Sequence, residues 1–406
     1  MKSRNHSSQA EERNPVPKKL APRVLSWASI LDEGTEQQAI DLATLPIVTP
    51  HVALMPDAHF GMGSAVGTVI PTEGAVIPAA VGVDIGCGMI AARTTYTEED
   101  IADLDLVALR DELERAIPLS PGNYNKKIQL DHTAERIAEL TEHAERDGVD
   151  LTHSPKWREQ LGSLGGGNHF IELCIDEMGR VWCFLHSGSR GVGNKIAQKH
   201  IRIAQQQCAE AGIELPHRDH AYLREGTPEF DQYIAELHWA QSFALANREE
   251  MMDRFVDQLA RAMGEEEAVE VERINTHHNY TEPVEIDGRT LWLTRKGAIN
   301  AEAGRPGLIP GSMGARSYVT RGKGNTQAFW SAPHGAGRVL SRRAAKKRYT
   351  AEDLDQRMSG IVYRPGPAWV DEIPDAYKPI DQVMADARDL VEVVHELRQV
   401  LNLKGT

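Results

Sequence analysis

Apolar residues fall into two kinds of spacing along this chain. Short runs cut by glycine and proline fill much of the first half: "HVALMPDAHFG", "SAVGTVIPTEG", "AVIPAAVGVDIG" and "MIAART". Runs of that length, bounded by turn residues, predict buried strands. Elsewhere apolar residues recur every three or four positions, in residues 101–117, 195–212 and about 229–263, which is the spacing of one helix face. Strand-like runs return at "FIELCI", "VWCFLHS" and "TLWLTR". With no internal repeat and no clean linker, the pattern predicts a single large mixed α/β body over residues 21–406. It carries an inserted helical hairpin at about 195–263 and follows a flexible polar tail at residues 1–20.

Composition narrows the class. A chain of 406 residues, 41% hydrophobic and 26% charged, can bury a large core and has the balance of a soluble globular protein. The first twenty residues hold no apolar run of the kind a secretory signal needs, and no window approaches a membrane span. Cys87, Cys174, Cys183 and Cys208 form no CxxC pair, which fits reduced thiols and a cytoplasmic protein, with a Cys174–Cys183 disulfide left open. The net charge of -14 argues against coating nucleic acid by bulk electrostatics. Residues 303–351, however, contain ten Lys and Arg and no Asp or Glu. That segregation describes either a channel for an anion or a solvated basic helix face.

Candidate chemistry gathers in glycine-rich segments. In "GVDIGCGM" an aspartate, Asp84, and a cysteine, Cys87, sit three apart among three glycines, a setting for close backbone approach. His169 in "LGGGNHFIEL", His186 in "FLHSGSRGVG", His277 and His278 in "INTHHNY" and His334 in "SAPHGAGR" lie in similar company. Asp84, Cys87, His169, His186 and one of the His277/His278 pair make a mixed oxygen, sulfur and nitrogen set suited to a borderline divalent metal such as Mn, Zn, Co or Fe. A bridging thiolate would hold two ions at the separation used in phosphoryl chemistry; the plainer alternative is that Cys87 is a small buried hydrophobe. "GLIPGSMGARSY" has the composition of a phosphate cradle. In "HGAGRVLSRRAAKKR" a helix starting beside His334, with Arg338 and Arg342 on one face, would draw an anion to a nucleophilic imidazole.

Taken together, "MPDAHFGMGSAVGTV", "VGVDIGCGM", "LGGGNHFIEL", "HSGSRG", "HHNY", "PGSMGARSY", "APHGAGR" and the closing "LKG" resemble the RtcB RNA-splicing ligases, nearly from end to end. The resemblance implies a GTP- and manganese-dependent ligase that joins an RNA 3′-phosphate or 2′,3′-cyclic phosphate end to a 5′-hydroxyl end. It implies that His334 takes up GMP and that two Mn²⁺ ions are held by Asp84, Cys87, His169, His186 and His278, with Cys87 as bridge. His278 is preferred to His277 because the family's ligand directly precedes an asparagine, here Asn279. The guanylate pocket would draw on Asn168, His169, Phe170, Ile171, Glu172, His278, Asn279, Pro310, Gly311, Ser312, Met313, Ser317, His334, Gly335, Ala336, Gly337 and Lys404. In that pocket, Glu172 and Lys404 suit the donors at guanine N1 and N2 and the acceptor at O6. Asp57 is expected to orient His334, and Arg190 to meet an RNA or GTP phosphate or else form a structural ion pair. The need for an archease-like activator is left open, a monomer is the default, and no membrane partner is expected. Two rivals remain at this point: a dinuclear metallophosphoesterase and an idle protein that binds RNA ends.

Overall fold

In the computed structural model, residues 17–127, 131–266 and 269–405 are described. Two sheets of mainly antiparallel strands form the body. One has six strands in the order Lys18–Ala21, Val24–Ser26, Val52–His59, Val66–Thr72, Arg289–Lys296 and Asn279–Ile286; the other has seven, Glu270–His277, Gly88–Thr97, Arg180–Ser187, Phe170–Asp176, Val391–Leu403, Ser317–Gly322 and Pro306–Ile309. The fold class is therefore mixed α/β, as the spacing predicts. Most residues of 1–20 lie outside the described residues, but the end of that expected tail is a strand, Lys18–Ala21, paired with Val24–Ser26.

The strands read as apolar runs because both of their faces are covered. Along Phe170–Asp176 every residue is buried. Ile171, Leu173 and Ile175 face one core, while Phe170 and Cys174 face another. The period of two thus puts Glu172 on the side of Phe170 and turns Ile171 away from it. The same alternation settles the cysteines: Cys174 is paired across the ladder with Trp182 and Cys183 with Leu173, so the two thiols point to opposite faces, and all four cysteines are free and buried.

The helical hairpin consists of Arg190–Glu210 and Pro228–Ala262. Thr227 caps the second helix by accepting from Phe230 N–H, with Pro228 at its first position. This helix serves two cores: Phe230, Tyr233, Leu237 and Phe243 enter one, and Met251, Met252, Phe255 and Leu259 enter the other. Two helices, Glu33–Ala43 and Asp131–Arg146, have no counterpart in the predicted pattern, and "AVIPAAVGVDIG" is a two-residue strand, Ala75–Val76, followed by a helical turn, Pro78–Val81, and a loop.

A candidate metal and nucleotide centre where the sheets meet

The chain passes from the seven-stranded to the six-stranded sheet within three residues, since His277 ends one strand and Asn279 begins another. His278, between them, donates its backbone N–H to Cys87 O at 2.8 Å. Cys87 precedes the strand Gly88–Thr97, which runs so close to its neighbour that a Cβ on Gly88 would fall 1.9 Å from Thr276 O. His186 comes from Arg180–Ser187, and His169 precedes Phe170–Asp176. The sheet junction therefore gathers four donors from separate segments, and Asp84, three residues before Cys87, adds a fifth.

Their atoms converge. Cys87 Sγ lies 3.2 Å from His186 Nε2 and 3.4 Å from His169 Nε2, the latter is 3.0 Å from Asp84 Oδ2, and the Nε2 atoms of His186 and His278 are 3.0 Å apart. The opposite ring nitrogens face oxygens: His169 Nδ1 meets Leu164 O at 2.9 Å, His186 Nδ1 meets Asn168 O at 3.2 Å, and His278 Nδ1 meets Asn279 Oδ1 at 3.2 Å. For His186 and His278 those oxygens, which can only accept, place the proton on Nδ1 and leave a lone pair on Nε2, whereas His169 Nδ1 also faces the Arg190 guanidinium at 3.1 Å and its Nε2 faces the Asp84 carboxylate. Two imidazole lone pairs 3.0 Å apart with no proton between them repel unless a cation lies among them. The donor set fits a divalent metal, and the tethers are the outer contacts that orient metal-bound histidines. Burial and neighbouring imidazoles hold His186 and His278 well below the ordinary histidine range, so both are neutral, as ligands must be. Burial and then the Asp84 charge push the Cys87 thiol up, whereas burial of Asp84 is outweighed by His169 and Arg190, which hold its carboxyl low.

His334 follows a short strand, Ser331–Pro333, paired with Ala298–Asn300. Its ring centroid is 4.6 Å from that of His278. Asp57, on Val52–His59 and fully buried, accepts from His334 N–H at 3.1 Å and sets Oδ2 2.6 Å from His334 Nδ1. Gly337 lets the following turn close on the same strand: its φ is 75°, and a Cβ there would fall 2.1 Å from Asp57 O.

A cavity of about 340 Å³ connects these groups, lined among others by Asp84, Cys87, His186, His278, His334, Phe170, Glu172 and Lys404. Near Glu172 and Lys404 the chemistry changes from neutral donors to buried charge. Lys404 Nζ lies 3.0 Å from Glu372 Oε2; Arg338 and Arg342 donate to Oε1 of the same carboxylate, and Tyr377 OH donates to Oε2. Burial opposes ionisation of Glu372, but Lys404, Arg342 and Arg338 win and hold its pKa down to about 2. Glu172 has no such company: burial pushes it up to about 8 despite Lys404 and an N–H from Asn402 at 2.8 Å.

Comparison with known proteins decides the family. Residues 38–405 match the family model described as "tRNA-splicing ligase RtcB". The chain is 44% identical over 392 residues to the RNA-splicing ligase RtcB of Escherichia coli, covering 92% of this chain and 95% of that one. It is 31% identical over 443 residues to the tRNA-splicing ligase RtcB of Pyrobaculum aerophilum, covering 92% and 91%, and 31% identical over 433 residues to that of Thermococcus kodakarensis, covering 90% and 88%. This chain belongs to the RtcB family.

The structure brings several of the residues named from the RtcB resemblance into one cavity. Asn168, Phe170, Glu172, Asn279, Pro310, Gly311, Ser312, Met313, Gly335, Ala336 and Gly337 line the cavity with the donors and His334. Others do not. The Ile171 side chain is fully buried in the core behind its strand. Ser317 is buried, with its hydroxyl accepting from Gly311 N–H at 3.4 Å, so it pins the loop from behind. Arg190, at φ 57°, turns its guanidinium to His169 Nδ1 at 3.1 Å and does not line the cavity. The helix expected to begin beside His334 is Arg342–Arg348, capped by Ser341, and Arg338 precedes it. The basic stretch is partly neutralised, since Arg338, Arg342 and Lys346 all pair with Asp371 or Glu372.

Sequence reasoning missed Glu372, Tyr377 and Asn402 altogether, and also Arg248. That buried arginine donates to Gly86 O at 2.7 Å and Ser187 O at 3.1 Å, and reaches His277 Nδ1 at 3.1 Å. It locks the loop bearing Cys87 and occupies His277, leaving His278 as the member of the pair that joins the RtcB donor cluster. The signal available for Arg248 was a charged residue amid the apolar face of a long helix.

Proposed function

We propose that this RNA ligase joins an RNA 3′-phosphate or 2′,3′-cyclic phosphate end to a 5′-hydroxyl end, using GTP and two manganese ions. His334 carries the reading: with Nδ1 2.6 Å from Asp57 Oδ2, Nε2 is the nitrogen left to act, on a side chain that lines the same cavity as the donor cluster. The imidazole attacks the α-phosphorus of GTP, an N–P bond forms, the bond to the bridging oxygen breaks, and pyrophosphate leaves. Asp57 offsets the positive charge that the ring gains, in the manner of a carboxylate behind a catalytic histidine. The RNA 3′-phosphate then takes the GMP from His334 to give an RNA-ppG end, and the 5′-hydroxyl attacks the RNA phosphorus and expels GMP. A cyclic phosphate is opened by hydrolysis first.

Asp84, Cys87, His169, His186 and His278 would hold the metal. When bound, divalent cations neutralise phosphate oxygens and orient them for in-line displacement. Glu172 accepts from guanine N1–H and N2–H, and Lys404, which has three N–H donors and gives one to Glu372, donates to O6. An ATP base would leave both unpaired, at a cost of about 1–3 kcal/mol each.

The test uses purified protein, Mn²⁺ and GTP labelled at the α-phosphate. Acid-labile label should stay on the wild type and be absent from His334→Ala. A metallophosphoesterase or an idle RNA-binding protein would retain none, and label that survives on His334→Ala would refute the assignment.

A further inference from the structure

Phe60 and Met62 are 63% and 60% exposed, a large apolar display for two residues of one short loop. A loop with exposed apolar side chains ordinarily folds them inward or moves. This loop is held from three directions. Gln38 grips Gly61 on both sides, donating to its carbonyl at 2.6 Å and accepting its N–H at 3.2 Å. The buried Lys296 ammonium donates to Met62 O and to Ser64 O, and His220 Nε2 lies 3.1 Å from Gly63 O. The Phe60 ring rests on Gly34, where a Cβ would fall 3.2 Å from its Cδ2, so it is propped from one direction and open to solvent elsewhere.

The loop follows directly on His59, which lines the cavity together with Val66, Gly82 and Lys296. These residues form a set distinct from the Glu172, Asn402 and Lys404 set assigned to guanine. A rigid, outward aromatic ring beside a phosphate-handling cavity has the form of a platform on which single-stranded nucleic acid stacks a base. Two side chains fall far short of the roughly 800 Å² per partner that a stable protein interface buries. We infer that Phe60, with Met62 two residues on, stacks a base of the RNA end being joined and so positions its terminal phosphate or hydroxyl. This inference rests on the RNA-joining reaction proposed above.

Label retained from GTP by the wild type tests that reaction, and RNA affinity tests the platform separately. Binding of RNA 3′-phosphate and 5′-hydroxyl oligonucleotides would be measured for wild type, Phe60→Ala and Phe60→Trp, with abasic sites placed at each of the two terminal nucleotides in turn. Phe60→Ala should weaken binding of at least one strand by roughly tenfold and raise KM more than it lowers kcat, while Phe60→Trp should bind as wild type. One abasic position should cost the wild type a similar factor and cost Phe60→Ala little more, because the stacked pair is already lost. Equal RNA affinity of Phe60→Ala and wild type would overturn the inference, including the case in which the patch serves a protein activator. So would a full additional loss on abasic RNA. A merely structural role would lower the melting temperature of Phe60→Ala, which an exposed side chain should leave in place.

Discussion

The two halves of the central cavity are built on opposite plans. Around Cys87, His186 and His278 are neutral imidazoles whose protons are fixed by the oxygens of Asn168 and Asn279, and they stand beside the ionised Asp84 carboxylate. Around Lys404 the structure instead rests on compensated charge, the one carboxylate of Glu372 facing Lys404, Arg338 and Arg342. The difference teaches how each half is kept in shape without ligand. The first relies on short tethers, two of them main-chain carbonyls that no side-chain substitution removes; the second relies on long side chains that hold one another.

The sharpest way to break this comparison is Glu372→Gln. Its side chain is 5% exposed, so removing the charge strands the buried Lys404 and weakens the hold on Arg338 and Arg342, and should lower unfolding free energy by about 3 kcal/mol. Urea titration would read this, with metal content unchanged; the double variant with Lys404→Met should recover part of the loss. Cys87→Ala should do the reverse, reducing affinity for Mn²⁺ by about a hundredfold or more while the urea midpoint of the metal-free protein stays close to wild type. A midpoint shift as large as that of Glu372→Gln would erase the contrast.

Asp57→Ala lies between the halves. It should slow label transfer from GTP to His334 by about tenfold and leave metal content intact, and equal rates would remove Asp57 from the mechanism.

The smallest effect concerns Glu172. Its folded-state pKa of about 8 stands above the unfolded value near 4.5, so the folded state holds the extra proton between those values. Stability then falls as pH rises through the window. Relative to Glu172→Gln, the nucleotide-free wild type should lose roughly 2 °C in melting temperature between pH 6 and pH 7; a constant difference would mean that Glu172 is ionised throughout.

The same contrast explains what could be read from the chain alone. Asp84, Cys87, His169, His186 and His334 announce themselves because residues of those types rarely sit in glycine-rich turns without a task. The main-chain carbonyls of Leu164 and Asn168 that meet two of the imidazoles carry no letter in the sequence, so those contacts were out of reach. Glu372 and Tyr377 lie in an unremarkable stretch, and only the fold reveals that Lys404, 32 positions away, needs an anion there. Ile171 was misplaced for a different reason: a motif names consecutive residues, whereas a strand sends alternate ones to opposite faces. The helix after His334 was set too early because its arginines suggested a face, while the capping serine, Ser341, marks the start.

The strand Val391–Leu403 enters the seven-stranded sheet between Phe170–Asp176 and Ser317–Gly322, not at its edge. During synthesis those two earlier strands therefore emerge from the ribosome with a gap between them, each carrying an unpaired border until residue 403 has left the exit tunnel. Assembly of the centre thus waits for this strand, and until it pairs the two open borders are the edges most exposed to mispairing.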